Sequence, residues 1–157
     1  MANFALIFNA VTMEKRSIEP KALSTMRLVK SEDLNHHGTL FAGRSAEWFV
    51  ESGFVAAASL VGPQSVVCLQ IHGLYFSQPA RPGDILTFSS KIVYAGRSSL
   101  VSYIDVVKVN ETEPFVSGFI TFIHVDESTK PVAHNVEIVP VTDTDKLLYE
   151  RAKNLKK

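Results

Sequence analysis

The stretch Asn35-His36-His37-Gly38-Thr39-Leu40-Phe41-Ala42-Gly43 runs directly into a long apolar segment, and these two features decide the fold. The residues from Leu40 to Val61 leave almost no polar face, which predicts an α-helix wrapped by protein on most sides. Gly62 and Pro63 end this helix. Its second half is crowded with small residues, which predicts that a sheet or another helix approaches closely (Ser52, Gly53, Ala56, Ala57, Ala58 and Ser59).

Beyond the helix, the hydrophobic period changes to two, as in β-strands. Turn-rich segments at 78–84, 95–98 and 110–114 separate four predicted strands, which are Ser65–Phe76, Asp84–Tyr94, Leu100–Val109 and Val116–Val125. Such short connections make neighbouring strands antiparallel. A first short strand is predicted from Ser24 to Lys30, before the helix, whereas residues 1–22 show no pattern that assigns them.

The last segment, from Asp143 to Lys157, has apolar residues at helical spacing and two aspartates near its start, which predicts an amphipathic helix. The order of elements predicts one α+β domain over 1–157, with a core of about 24–126 and a C-terminal helix of about 143–157. In this domain, a curved antiparallel sheet wraps around the long central helix. An edge strand keeps free backbone groups, so we expect a symmetric dimer that pairs the same edge of two copies.

Composition and charge exclude several classes of partner. Sixteen basic and sixteen acidic side chains cancel, so no global field would collect nucleic acid or an anionic membrane. The basic cluster of Lys153, Lys156 and Lys157 is interpreted as a solvated helix end. The apolar run 4–8 is too short to span a bilayer. Cys68 has no second cysteine to pair with, and its apolar neighbours predict a small buried residue, so a reducing cytoplasmic location is expected.

The turn before the helix is where we expect chemistry. A glycine-bearing turn that opens a buried helix offers free backbone N–H groups and a positive dipole end to an oxyanion. Glu47 and Glu51, inside the helix, are candidates to activate water as a general base or to act as a nucleophile. Partial burial and mutual repulsion at i,i+4 would raise the pKa of both carboxylates. The alternative is that both are solvent-facing or interface residues.

Three motifs resemble those of the hotdog-fold acyl-CoA thioesterases. The first is Asn35-x-x-Gly38-Thr39-Leu40-Phe41-Ala42-Gly43-Arg44, followed by Glu47-Trp48 and Glu51; the second is Phe76-x-x-Pro79-x-x-Pro82-Gly83-Asp84-Ile85; the third is Gly96-Arg97-Ser98-Ser99. Together they cover about residues 24–126. The resemblance implies a hotdog dimer, commonly assembled into tetramers or hexamers, that hydrolyses an acyl-CoA thioester to a free acid and coenzyme A.

The resemblance also implies roles for individual residues. Asn35 would hold a water or the thioester oxygen across the dimer seam from the acid, although an Asx-type turn explains it equally well. Gly43 would present its backbone N–H to the carbonyl oxygen. His37, and less strongly His36, would donate to that carbonyl or shuttle a proton, unless the loop position carries no chemistry. The third motif would bind coenzyme A phosphates through Arg97, Ser98 and Ser99, with Arg44 and Arg81 as weaker candidates.

One position departs from the family pattern. Relatives carry an aspartate followed by a glutamate where this chain has Val50 followed by Glu51. Either Glu47 or Glu51 would then supply the acid. Val50 also leaves open a non-catalytic acyl-CoA-binding protein, and His37 leaves open a hotdog hydratase or dehydratase. We expect no metal and no resident cofactor, because coenzyme A is part of the substrate, and His72, His124 and His134 are interpreted as structural.

Overall fold

The computed structural model describes residues 14–155. Predictions for residues 4–8, 156 and 157 lie outside the described residues. In chain order the elements are β1 (Arg16–Ile18), β2 (Leu23–Leu28), α1 (Ala42–Val61), β3 (Val66–His72), β4 (Ile85–Ala95), β5 (Ser99–Lys108), β6 (Pro114–His124), β7 (Val136–Ile138) and α2 (Asp143–Asn154). Short 3-10 turns lie at Ser31–Asp33 and Pro63–Ser65.

The main sheet has five strands in the order β2-β4-β5-β6-β3, and every neighbouring pair is antiparallel. Helix α1 contacts all five strands, so the sheet curves around it as the sequence predicted. Gly53 allows the close approach, because an added Cβ there would lie 3.0 Å from the Ile104 side chain and 3.2 Å from that of Ile120. The predicted α+β architecture is confirmed.

The two faces of the sheet are covered by different helices. Alternate residues along β5 point to opposite sides, so Leu100 belongs to the core around α1 while Val101 belongs to a second cluster. That second cluster includes Leu148 and Ala152 of α2. An ion pair between Lys91 of β4 and Asp145 of α2, with 2.6 Å between Nζ and Oδ1, holds helix α2 against this face of the sheet.

Helix α1 begins at Ala42, two residues after the predicted start. Leu40 is held in extended conformation, because it bridges to Leu34 and its N–H donates to the carbonyl oxygen of Ala80 at 2.8 Å. The helix ends as expected at Gly62, which has a φ of +89°. The expectation that protein wraps α1 on most sides is wrong for the single chain, because Glu47, Glu51 and Val55 are exposed.

Strand β3 differs most from its prediction. It ends at His72, four residues before Phe76, because the next residue, Gly73, has a φ of +74° that is unfavourable for other residues. It is also an edge strand, so Cys68 is exposed rather than buried as predicted. Strands β1 and β7 form a parallel two-stranded sheet that no pattern in the sequence predicted. Within residues 14–155, no helix combines the length and apolarity needed to cross a bilayer.

Candidate active site

The loop before α1 is closed by the side chain of Asn35. Its Oδ1 accepts the backbone N–H groups of His37 at 2.9 Å and Thr39 at 3.3 Å, and its Nδ2 donates to Thr39 Oγ1 at 3.0 Å. Asn35 therefore forms the Asx-type turn that the sequence left as one of two interpretations. An amide nitrogen has two hydrogens, so one of them remains for a ligand.

The start of α1 keeps backbone donors free. Phe41 is the N-cap, no side chain caps the helix, and the Phe41 N–H donates to the Asp33 carbonyl oxygen at 2.8 Å. The N–H groups of Ala42, Gly43 and Arg44 lie in the first helical turn, where no intrahelical acceptor exists. An added Cβ at Gly43 would overlap Phe41 Cε1, so only glycine fits beside the ring as it stands.

Glu47 belongs to a network of charges on one side of the helix start. Arg44 Nη1 donates to Glu47 Oε2 at 2.9 Å, and Arg44 Nε lies 3.3 Å from Asp33 Oδ1. Asp33 is buried and also accepts the backbone N–H of Lys30 at 2.9 Å. Arg44, considered a weak candidate for phosphate, is thus held by two carboxylates. Glu47 and Gly43 line one open cleft with Asp33.

Glu51 faces a different cleft. Its Oε2 accepts a hydrogen bond from Arg27 Nη2 at 2.7 Å, and the Arg27 guanidinium lies 5.8 Å from the centre of the Trp48 ring. The cleft has mostly apolar walls, which include Trp48, Val50, Phe54, Cys68 and Phe122. The two glutamates line different clefts, and each pairs with its own arginine.

The expected partial burial of these acids is wrong for the single chain. The side chains of Glu47 and Glu51 are 54% and 52% exposed, because this face of α1 has no sheet over it. His36 and His37 are exposed too; their rings lie 3.9 Å apart, and only the backbone N–H of His37 makes a hydrogen bond within residues 14–155.

The Arg97-Ser98-Ser99 turn forms a third cleft, away from the helix start. His72 and Thr121 line it as well, and His72 Nε2 lies 2.7 Å from Thr121 Oγ1. Desolvation lowers the pKa of His72 from its ordinary value. The Ser99 hydroxyl is buried and has no hydrogen-bond partner among the described residues. His72, interpreted from the sequence as structural, thus lies beside the predicted phosphate-binding turn.

The other strand-associated histidines have structural roles, as predicted. His124 Nδ1 lies 3.0 Å from the Val132 carbonyl oxygen. His134 Nδ1 accepts the Val136 N–H at 3.0 Å, and its Nε2 lies 3.1 Å from the Ser99 carbonyl oxygen. No cluster of three or more His, Cys, Asp or Glu side chains that could hold a metal occurs between residues 14 and 155.

Comparison with known proteins identifies the family. The sequence profile of the thioesterase superfamily matches residues 37–115, a span that contains α1, β3, β4 and β5. The chain belongs to the thioesterase superfamily. The family expected from the three motifs is therefore confirmed, together with the hotdog fold.

Two sequence relatives of this thioesterase-superfamily chain have been named but not characterised. The acyl-CoA thioester hydrolase YkhA of Bacillus subtilis is 27% identical in an alignment of length 138 that covers 85% of this chain and 78% of the relative. The acyl-CoA thioester hydrolase ZMO0511 of Zymomonas mobilis is 26% identical in an alignment of length 156 that covers 92% of this chain and 97% of the relative.

Solved structures agree with the superfamily assignment. A hexameric acyl-CoA thioesterase superposes with a TM-score of 0.78 and 30% identity, covering 86% of this chain and 88% of its own. The acyl-CoA hydrolase of Staphylococcus aureus, in complex with butyryl coenzyme A and coenzyme A, has a TM-score of 0.79 and 24% identity and covers 88% and 87%. At 24% identity, the similarity to the Staphylococcus aureus enzyme shows only that the two proteins share a fold.

Proposed function

We propose that this chain hydrolyses acyl-CoA thioesters to a free carboxylic acid and coenzyme A. The relatives in Bacillus subtilis and Zymomonas mobilis are named for this activity. The observation that carries the proposal is the uncapped start of α1, where free N–H groups lie next to the amide of Asn35. Donors of this kind stabilise the negative charge that develops on a thioester oxygen when water attacks.

The usual acid of the family is missing from its position. Structures of the Staphylococcus aureus acyl-CoA hydrolase include variants in which an asparagine, or an aspartate fifteen positions after it, is replaced by alanine. Counting fifteen positions from Asn35 leads to Val50 in this chain. A hydrolase with valine there needs its carboxylate from a neighbouring residue.

We assign that role to Glu51. It follows Val50 directly, and it opens onto an apolar cleft that suits an acyl thioester. Glu47 is the weaker candidate, because Arg44 binds it and links it to Asp33. Arg27 holds the Glu51 carboxylate at 2.7 Å and is itself ordered by the Trp48 ring.

In the proposed reaction, Glu51 takes a proton from a water molecule as the water oxygen attacks the thioester carbonyl carbon. The N–H groups at the start of α1, including that of Gly43, stabilise the resulting oxyanion. The carbon–sulfur bond then breaks, and the proton passes from Glu51 to the sulfur of coenzyme A. The remaining products are the free acid and a regenerated carboxylate.

This chemistry requires two copies of the chain. Gly43 and Glu51 are eight residues apart on one helix, which corresponds to about 12 Å along its axis. The two groups can meet at one carbonyl only if they come from different copies, as the resemblance implies for Asn35 and the acid. The solved relative described as hexameric supports such an assembly.

We propose β3 as the pairing edge. Val67, Leu69 and Ile71 are exposed along it, and Cys68 of the same strand lines the Glu51 cleft. Pairing of β3 with its counterpart would bring the partner to that cleft. The opposite edge, β2, carries Arg27, and charged side chains are typical of edges that stay unpaired.

We assign the coenzyme A phosphates to the cleft of Arg97, Ser98 and Ser99. The guanidinium group suits a phosphate, and the unpartnered Ser99 hydroxyl offers a further donor. His72 and Thr121 would add donors from the neighbouring strands. A cytoplasmic location and the absence of a resident cofactor remain predictions.

A thiol-release assay with short, medium, long and aryl acyl-CoAs tests the proposal. We expect Glu51→Gln to reduce kcat/KM at least tenfold, or about 1.4 kcal/mol, and Glu47→Gln to reduce it less. Wild-type protein that releases no thiol from any ester would contradict hydrolysis.

The alternative favoured by Val50 is an acyl-CoA-binding protein without catalysis. Calorimetric titration separates it from the hydrolase: saturable binding of an acyl-CoA without thiol release is the result that this alternative requires.

A further inference from the structure

A buried serine hydroxyl without a partner lines the cleft beside Asn35. Ser45, in the first turns of α1, is 1% exposed, and its Oγ makes no hydrogen bond within residues 14–155. Its backbone N–H donates to the Phe41 carbonyl oxygen at 3.1 Å, so the residue is in ordinary helical geometry. An unpaired buried hydroxyl is costly, and because Ser45 borders a cleft, a group bound there can supply the missing acceptor.

The cleft has polar groups on one side and aromatic walls on the other. Asn35, Thr39 and Ser45 supply the polar side, while Phe76 and Phe115, with ring centres 6.0 Å apart, supply apolar surface. Its volume of about 330 Å³ is large enough for a short acyl group.

The walls of this cleft are fixed without a ligand. The Leu40 N–H donates to the Ala80 carbonyl oxygen at 2.8 Å, which ties the loop before α1 to the segment around Pro79. Ser77 Oγ donates to the Phe115 carbonyl oxygen at 3.1 Å, which ties the same segment to β6. A rigid site loses little freedom on binding and can therefore discriminate between closely similar ligands.

We infer that this cleft takes the acyl group of the substrate and that Ser45 Oγ donates to an oxygen carried by that group. The inference rests on the proposed function, in which the thioester carbonyl lies at the start of α1. Ser45 is three residues beyond Ala42, which also lines the cleft, or about 4.5 Å further along the helix. An oxygen on the third carbon of the acyl chain would lie at that depth.

The substrate class is accordingly 3-hydroxyacyl-CoA or 3-oxoacyl-CoA. An unsubstituted acyl group of the same length would fill the cleft but leave the Ser45 hydroxyl buried and unpaired. Sites built to hydrogen-bond a substrate oxygen discriminate strongly against analogues that lack it.

The test compares 3-hydroxybutyryl-CoA with butyryl-CoA, using kcat/KM for thiol release and dissociation constants from calorimetry. We expect wild-type protein to favour the hydroxylated ester at least tenfold by both measures and Ser45→Ala to lose that preference. Ser102→Ala is the matched control, because Ser102 is fully buried in β5 with an unpartnered Oγ but lies outside the described clefts. Thermal melting of both variants verifies that they are folded.

Two results would overturn the inference. One is that wild-type protein has equal kcat/KM values and equal dissociation constants for the two esters. The other is that Ser45→Ala still prefers 3-hydroxybutyryl-CoA over butyryl-CoA. Failure of the proposed function looks different, because neither ester then releases thiol. In that case the dissociation constants of the two esters, measured by calorimetry for wild-type and Ser45→Ala protein, still decide whether Ser45 binds the acyl oxygen.

Discussion

At the scale of single residues, the two candidate acids differ in the arginine that each of them binds and in the cleft that each of them faces. Glu47 is bound by Arg44, whereas Glu51 is held by Arg27 at the mouth of an apolar cleft. The sequence placed both acids on α1 but could not separate them, because the Arg27–Glu51 pair depends on a tertiary contact, whereas the Arg44–Glu47 pair is local to the helix. Arg27 lies 24 residues before Glu51 and is brought to it by the packing of β2 against α1.

Replacing Arg27 by Gln tests whether it positions the acid. We expect a loss of about tenfold in kcat/KM, mainly in kcat, because the Glu51 carboxylate loses its fixed orientation. In a double-mutant cycle with Glu51→Gln, the effect of Arg27→Gln should disappear. Arg151→Gln is the control, because Arg151 lies 5.0 Å from the Phe119 ring in a similar stacked arrangement but does not line the Glu51 cleft. Additive effects of the two substitutions would contradict the positioning role.

At the scale of elements, the pattern of apolar residues predicted the five strands of the main sheet and both helices. The pattern is plainest in β4, β5, β6 and the two helices, which bury apolar residues in the core. The sequence pattern failed to predict the backbone conformation where tertiary contacts override the local preference for helix or strand. Leu40 continues the helical pattern but is held by backbone bonds to Ala80, and β1 and β7 are too short to show a period. Cys68 has apolar neighbours, yet it is exposed because nothing in the sequence tells an edge strand from a central one.

The docking of α2 onto the sheet predicts a pH-dependent stability. Burial acts to raise the pKa of Asp145, but hydrogen bonds from Lys91 and Thr142 outweigh it and lower that pKa. A lowered carboxyl pKa stabilises the fold above the unfolded-state value of 3.8, and this contribution is lost as the pH falls through the folded-state pKa.

We therefore expect Asp145→Asn to reduce the free energy of unfolding by about 1–3 kcal/mol at pH 7, measured by urea denaturation. The difference in the free energy of unfolding between this variant and wild type should shrink below pH 3.8, because protonation of Asp145 weakens its ion pair with Lys91. Asp143→Asn is the control, since Asp143 is fully exposed. A difference that stays constant from pH 7 down to pH 3 would contradict the ion-pair explanation.

At the scale of the whole molecule, the predicted site residues other than His37 line four separate clefts of one chain. The sequence could name these residues because their motifs are local, but their convergence depends on a second copy. The division of 1–157 into a core of about 24–126 and a terminal helix remains a prediction.

Leu69→Lys tests the proposed assembly through β3. Leu69 is 64% exposed in the single chain, and a lysine there would bring two like charges together at a symmetric interface. We expect a lower molar mass by light scattering and at least a tenfold loss of thiol release. Leu147→Lys is the matched control, because Leu147 is 61% exposed on α2. An unchanged mass for Leu69→Lys would refute pairing through this edge.

The small sheet of β1 and β7 has a mechanical consequence. Its strands run parallel and join Arg16 to Val136 and Ile18 to Ile138, near the two ends of the described chain. If the ends were pulled apart, α2 would peel away first, and the tension would then act lengthwise along β1 and β7. The backbone hydrogen bonds between these strands would have to break together rather than one after another. The two-stranded sheet would therefore resist the force before the five-stranded sheet is stretched.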